Sequence, residues 1–198
     1  MRLASAALWV AAAALAAGCA GDPEKIAAIT EVNHDFRIEY ERILLEIGTR
    51  VYRVPRDSAY AALRTSFDQL GMAVIDNSPD IGYIAVRAPA PKPLDAVEWE
   101  RVNEQDLPRM RQLATPHVGM LARFVMFEPE GLDIIINATA VEVRDGTEVS
   151  LTMRMRETAP PRTGYPRREY PPPSAVRIGL DKIWREVDRD LRGASWRR

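Results

Sequence analysis

Thiol, imidazole and carboxylate are the side chains that could carry chemistry here, and the placement of each limits what it can do. The chain has one cysteine, Cys19, and two histidines, His34 and His117. The histidines are far apart and neither has a partner at a metal-binding spacing such as His-x3-His, so no metal is expected. The close carboxylate pairs Glu98/Glu100, Glu128/Glu130 and Asp76/Asp80 fall in turns or on solvated faces. No Gly-x-Ser-x-Gly, Walker or Gly-x-Gly-x-x-Gly pattern occurs. The expectation is a protein without enzymatic activity and without a cofactor.

Residues suited to recognition are easier to find. Arg162, Tyr165, Arg167, Arg168 and Tyr170 alternate with six prolines in the segment 158–173. Proline keeps such a backbone extended, so ordering it against a partner loses little entropy, and Arg and Tyr often anchor interfaces. On this reading the arginines serve a partner and not the fold, so replacing Arg162, Arg167 and Arg168 should hardly change stability. The competing reading is a plain connector between the last strand and the last helix. Trp99, on an insertion at 88–118, is a further candidate anchor.

Where these residues work is set at the N terminus. Arg2 precedes an apolar run, Leu3 to Ala17, too short for a bilayer span of about 20 residues but suited to a signal peptide. The run ends in Leu15-Ala16-Ala17-Gly18-Cys19, which resembles the lipobox of bacterial lipoproteins. The resemblance implies cleavage before Cys19, a diacylglycerol on its sulfur, N-acylation and attachment to a membrane. Ala20, where Asp would imply inner-membrane retention, implies the outer membrane, periplasmic face. Residues 1–18 are then signal peptide and 19–25 a lipidated tether. A lipidated Cys19 leaves no thiol for catalysis, for zinc or for a disulfide, so packing must supply the stability.

Composition agrees with one globular domain: 46% of residues are hydrophobic and 28% charged. Residues 20–150 are acidic and 151–198 basic. The acidic balance and the compartment together argue against nucleic acid as a partner.

Apolar periodicity then divides the chain. Ile26, Ile29, Val32, Phe36, Tyr40, Ile43, Leu44 and Ile47 predict a helix over 26–48. A strand follows from Thr49 to Val54, then a helix burying Ala59, Ala62, Leu63, Ser66, Phe67 and Leu70, capped by Asp57 or Ser58 and ended by Gly71. Met72–Asp76 and Tyr83–Arg87 read as paired strands. Ala88 to Pro93 reads as an extended arm, Asp95 and Glu98 as a capping box for a short helix to Asn103, and 104–118 as loop. Met120–Glu128 and Leu132–Arg144 read as strands, with Asp145-Gly146 as a hairpin turn. Val149, Leu151, Met153 and Met155 alternate with polar residues, as a strand with one buried face requires. Ile134-Ile135-Ile136 breaks such alternation, which calls for cover on both sides or a bulge. A last helix carries Val176, Leu180, Ile183, Trp184, Val187 and Leu191, with Ser174 as its cap and Gly193 as its stop.

This order predicts an α+β fold over 49–198: one antiparallel sheet, β-α-β-β then β-β-β-α, with helices packed on one face. It looks like a helix-grip domain, and its first half is similar to the BamC-type lipoprotein of the outer-membrane β-barrel assembly machine. That family carries two such domains and a long irregular N-terminal segment, so the resemblance implies no partner and no site residues here. The function expected is an accessory or scaffold lipoprotein that binds another envelope protein through 88–118, 158–173 or an exposed sheet edge. The alternatives are a binder of a small apolar ligand between helix and sheet, and an enzyme without a recognisable motif. Phe67, Phe124, Phe127, Met153 and Trp184 on the inner faces predict a filled core and favour the first.

Overall fold

Asp22 opens the fold: its side chain accepts a hydrogen bond from the Glu24 N–H at 3.2 Å, and Pro23 follows at the first helical position. The computed structural model describes residues 21–195. The signal peptide and Cys19 lie outside the described residues. Helix α1 runs over Pro23–Ile47, so it takes in part of the expected tether. Strand β1 (Thr49–Tyr52) leads into helix α2 (Arg56–Gln69), then β2 (Ala73–Ser78) and β3 (Tyr83–Pro89). Helix α3 (Ala96–Val118), the 3-10 segment Gly119–Phe124, strands β4 (Leu132–Val143) and β5 (Gly146–Glu157), and helix α4 (Pro173–Ser195) complete it.

The strands form one antiparallel sheet in the order β1-β5-β4-β3-β2, and the four helices pack on it. The fold is α+β, as the element order predicted. One sheet face carries Ile134, Ile136, Ala138, Val149, Leu151 and Met153, all buried. Against them lie Leu63 and Phe67 of α2 and Leu180, Ile183 and Trp184 of α4. The opposite face is polar: the Tyr83 hydroxyl donates to Asn137 Oδ1 at 3.2 Å, and Asn137 Nδ2 donates to Thr152 Oγ1 at 3.4 Å.

Several details differ from expectation, each for a local reason. Ile135 is neither covered on both sides nor part of a bulge; it lies on the polar face, half-buried, in an unbroken register with Arg154. The irregularity falls at Val74/Asp76 on edge strand β2, where a bulge discourages pairing with another chain. Val143 pairs with Gly146, so Arg144 and Asp145 form the hairpin loop. Gly146 is required beside it: its φ is +140°, and a Cβ there would strike the Tyr52 carbonyl oxygen. Asp57 and Ser58 do not cap α2; Pro55 holds the cap position, and its carbonyl accepts from the Ser58 and Ala59 N–H groups. Helix α4 continues past Gly193 to Ser195.

The largest correction concerns 88–128. Residues 90–93 turn back instead of leaving as an arm, and Leu94 is buried. The Asp95/Glu98 capping box is present, with both bonds at 2.9 Å, but the helix it starts runs on through 104–118, across Pro108 and Pro116. Trp99, Val102, Met110 and Ala114 are its buried residues, and Asp106 interrupts the apolar repeat. Asp106 points at the start of α4 and accepts from the Ser174 N–H at 2.9 Å and the Ser174 hydroxyl at 2.8 Å. Ser174 is therefore the capped residue and not the cap. Burial raises the Asp106 carboxyl above its ordinary range, and the two Ser174 bonds pull it partly back. Met120–Glu128 is no strand: it is the 3-10 segment followed by extended chain outside the sheet.

Candidate functional site

Strand β1 pairs only with residues Thr147–Ser150 of β5, which leaves the far end of the β5 edge open. The Pro-rich segment lies along that edge, where the Met155 N–H donates to the Glu169 carbonyl at 3.1 Å. It also grips α1: Asn33 Nδ2 donates to the Arg167 carbonyl at 3.0 Å. The segment is thus a strap between sheet and helix, and the five residues singled out in it have different roles.

Tyr170 packs edge-on against Tyr40 at 5.3 Å, with the Arg154 guanidinium 4.3 Å from its ring. Tyr165 closes on the beginning of the described chain: the Asp22 N–H donates to its hydroxyl at 3.4 Å, and a Cβ on Gly21 would lie 2.9 Å from its ring. Arg168 Nε donates to Glu157 at 2.8 Å while its guanidinium sits 5.8 Å from the Phe127 ring centre. Only Arg162 and Arg167 of the five are exposed. Trp99 is not an exposed anchor at all; it is buried in the core, 5.8 Å from Phe127.

Arg168 therefore serves the fold, contrary to the expectation that all three arginines are dispensable. The second oxygen of Glu157 is buried with no hydrogen-bond partner among the described residues. Removing Arg168 would leave that carboxylate with nothing. Arg168→Ser should lower stability by about 1–2 kcal/mol, while Arg162→Ser and Arg167→Ser should each stay within about 0.5 kcal/mol of wild type. Urea midpoints of the three single variants test this, and three equal midpoints would refute it.

Where α1, α3 and the extended chain at Val125–Phe127 meet, they enclose an apolar groove of about 310 Å³. Ile29, Val32 and Phe36 come from α1, and Met110 and Ala114 from α3. Asn33 and Arg168 are the polar side chains on its walls, and both are already bonded, to the Arg167 carbonyl and to Glu157. The groove thus asks a ligand for apolar surface and offers few polar groups that are not already engaged. Ile29 and Val32 belong to the apolar stripe that predicts α1. The α3 wall was hidden with the second half of that helix.

A polar cluster between β1 and α4 is engaged internally. Asp188 of α4 accepts from the Tyr52 hydroxyl at 2.8 Å and from Arg50 at 3.1 Å. Burial first, and Asp188 second, push the Tyr52 hydroxyl well above the usual phenol range. Among the described residues no group of three or more His, Cys, Asp and Glu is placed to hold a metal, and no helix is long and apolar enough to cross a membrane. No known protein family, curated protein or solved structure matches the chain.

Proposed function

We propose that this protein is a lipid-anchored accessory protein of the outer membrane, facing the periplasm, which binds an apolar segment of another envelope protein and catalyses no reaction. The observation that carries the binding reading is the groove between α1 and α3: its walls are apolar and its polar side chains are bonded within the chain. An apolar segment would displace only loosely held water there and strand no buried polar group. The lipobox supplies the location. The strap supplies the link between the two, because Tyr165 holds Gly21, two residues after Cys19, against the body that carries the groove.

A second reading is a small apolar ligand or a single acyl chain in the same groove. The groove volume of about 310 Å³ lies at the low end for such sites, which favours it. The region between helix and sheet is the poorer place for a ligand, since Phe67, Met153 and Trp184 are buried there, while Phe127, also buried, lines the groove. Phe124, expected with them, is exposed instead.

Photocrosslinking in intact cells separates the readings. A benzophenone amino acid replacing Ile29, within the groove, should give a discrete protein adduct, while the same residue replacing Ile38, exposed elsewhere on α1, should not. Adducts of lipid mass at position 29 would favour the second reading. Equal labelling at both positions would contradict both.

A further inference from the structure

A folded protein surface carries single exposed apolar residues everywhere, so only a cluster is informative. Met120, Leu121 and Phe124 form one, at 85%, 58% and 65% exposure, all in the 3-10 segment Gly119–Phe124. Met126, 65% exposed, follows two residues later. The segment is held firmly while these side chains face out. Ala122 is buried against Ala28 of α1 and Ala114 of α3, and Arg111 Nε donates to the Val125 carbonyl at 3.3 Å.

The stretch of chain that carries the cluster is basic, although Arg109 within it is paired with Asp35 of α1 at 2.8 Å. From Leu107 to Phe127 the chain contains Arg109, Arg111 and Arg123 and no carboxylate. Arg123 folds its guanidinium over the Phe124 ring, 4.6 Å from the centroid, which leaves an apolar face with a cation at its rim. That is how a side chain at a lipid headgroup boundary divides its stem and its charge.

Position decides the occupant. Ala28 sits about 7–8 Å along α1 from Pro23, and the four residues from Cys19 to Pro23 can span no more than about 14 Å. A lipid on Cys19 therefore keeps Ala28, against which this segment packs, within about 22 Å of the membrane plane, at the near end of a helix that is itself about 37 Å long. We infer that the knuckle Gly119–Phe124 is a second membrane contact, with Met120, Leu121 and Phe124 entering the headgroup–acyl boundary and Arg123 resting among lipid phosphates. It rests on the lipoprotein reading, and it fixes which side of the protein faces the bilayer. Two membrane contacts restrict rotation about the tether in a way that one lipid cannot.

The test uses the full chain as purified from membranes and returned to vesicles of phosphatidylethanolamine and phosphatidylglycerol, three to one. Phe124→Cys and Leu45→Cys, each carrying a nitroxide, place probes at the knuckle and on an exposed side chain at the far end of α1. Relaxation by a water-soluble nickel reagent should be several-fold weaker at 124 than at 45. Equal accessibility at the two positions would overturn the proposal, whether or not mass spectrometry finds lipid on Cys19. Shielding at 124 that fades as the protein is diluted into more lipid would put a second copy on the knuckle and overturn it too. A shielded 124 in a protein whose Cys19 carries no lipid would contradict both the anchor and the argument from position that assigns the knuckle to the membrane.

Discussion

Trp184→Ala should destabilise the protein by about 3–5 kcal/mol, the range for removing a large aromatic side chain from a filled core. Trp184 is fully buried, and its ring faces Tyr52 at 6.3 Å with the Arg50 guanidinium 5.0 Å from its centre. Its indole N–H donates to the Ile47 carbonyl at 2.7 Å, at the last residue of α1. One side chain thus joins α4, β1 and the end of α1, and its loss opens a cavity while leaving a helix-terminal carbonyl unbonded. Trp184→Phe keeps most of the volume and loses that bond, so it should cost only part as much. Urea unfolding of the two variants measures both; a loss below about 1 kcal/mol for alanine would mean that α4 does not seal the sheet.

How much of this was legible depends on whether a residue's local pattern agrees with its tertiary role. Where the two agree, as in Val149, Leu151, Met153 and Met155 on β5 or Leu63 and Phe67 on α2, alternation and helical spacing lead directly to the sheet and its cover. The second half of α3 was not legible. Asp106 occupies a position on its inward side because it caps another helix, and Pro108 and Pro116 read as breaks although the helix continues through them. The groove depends on that half-helix, so it could not be seen before its α3 wall was in place. The Pro-rich strap was legible as extended chain, but composition alone does not tell an arginine paired with Glu157 from one free to meet a partner. Phe124 and Trp99 exchanged their expected places: the chain after α3 forms a 3-10 segment outside the sheet, which leaves Phe124 exposed, and α3 lies against the body, so that Trp99 packs on Phe127.

Cys19→Ser should remove the protein from the membrane fraction or leave it uncut with its signal peptide. Each buried CH₂ of an acyl chain contributes about 0.8 kcal/mol, and stable attachment takes more than one such chain or a second contact. The knuckle alone is too small to replace them, so any cleaved Cys19→Ser chain should be released by a high-salt wash that leaves the wild type in place. The most direct measurement is the intact mass of the wild-type protein extracted from membranes. It should correspond to a chain that begins at Cys19 and carries a diacylglycerol and an N-acyl group, with no thiol reactive towards maleimide. An unmodified mass with a free Cys19 thiol would contradict it.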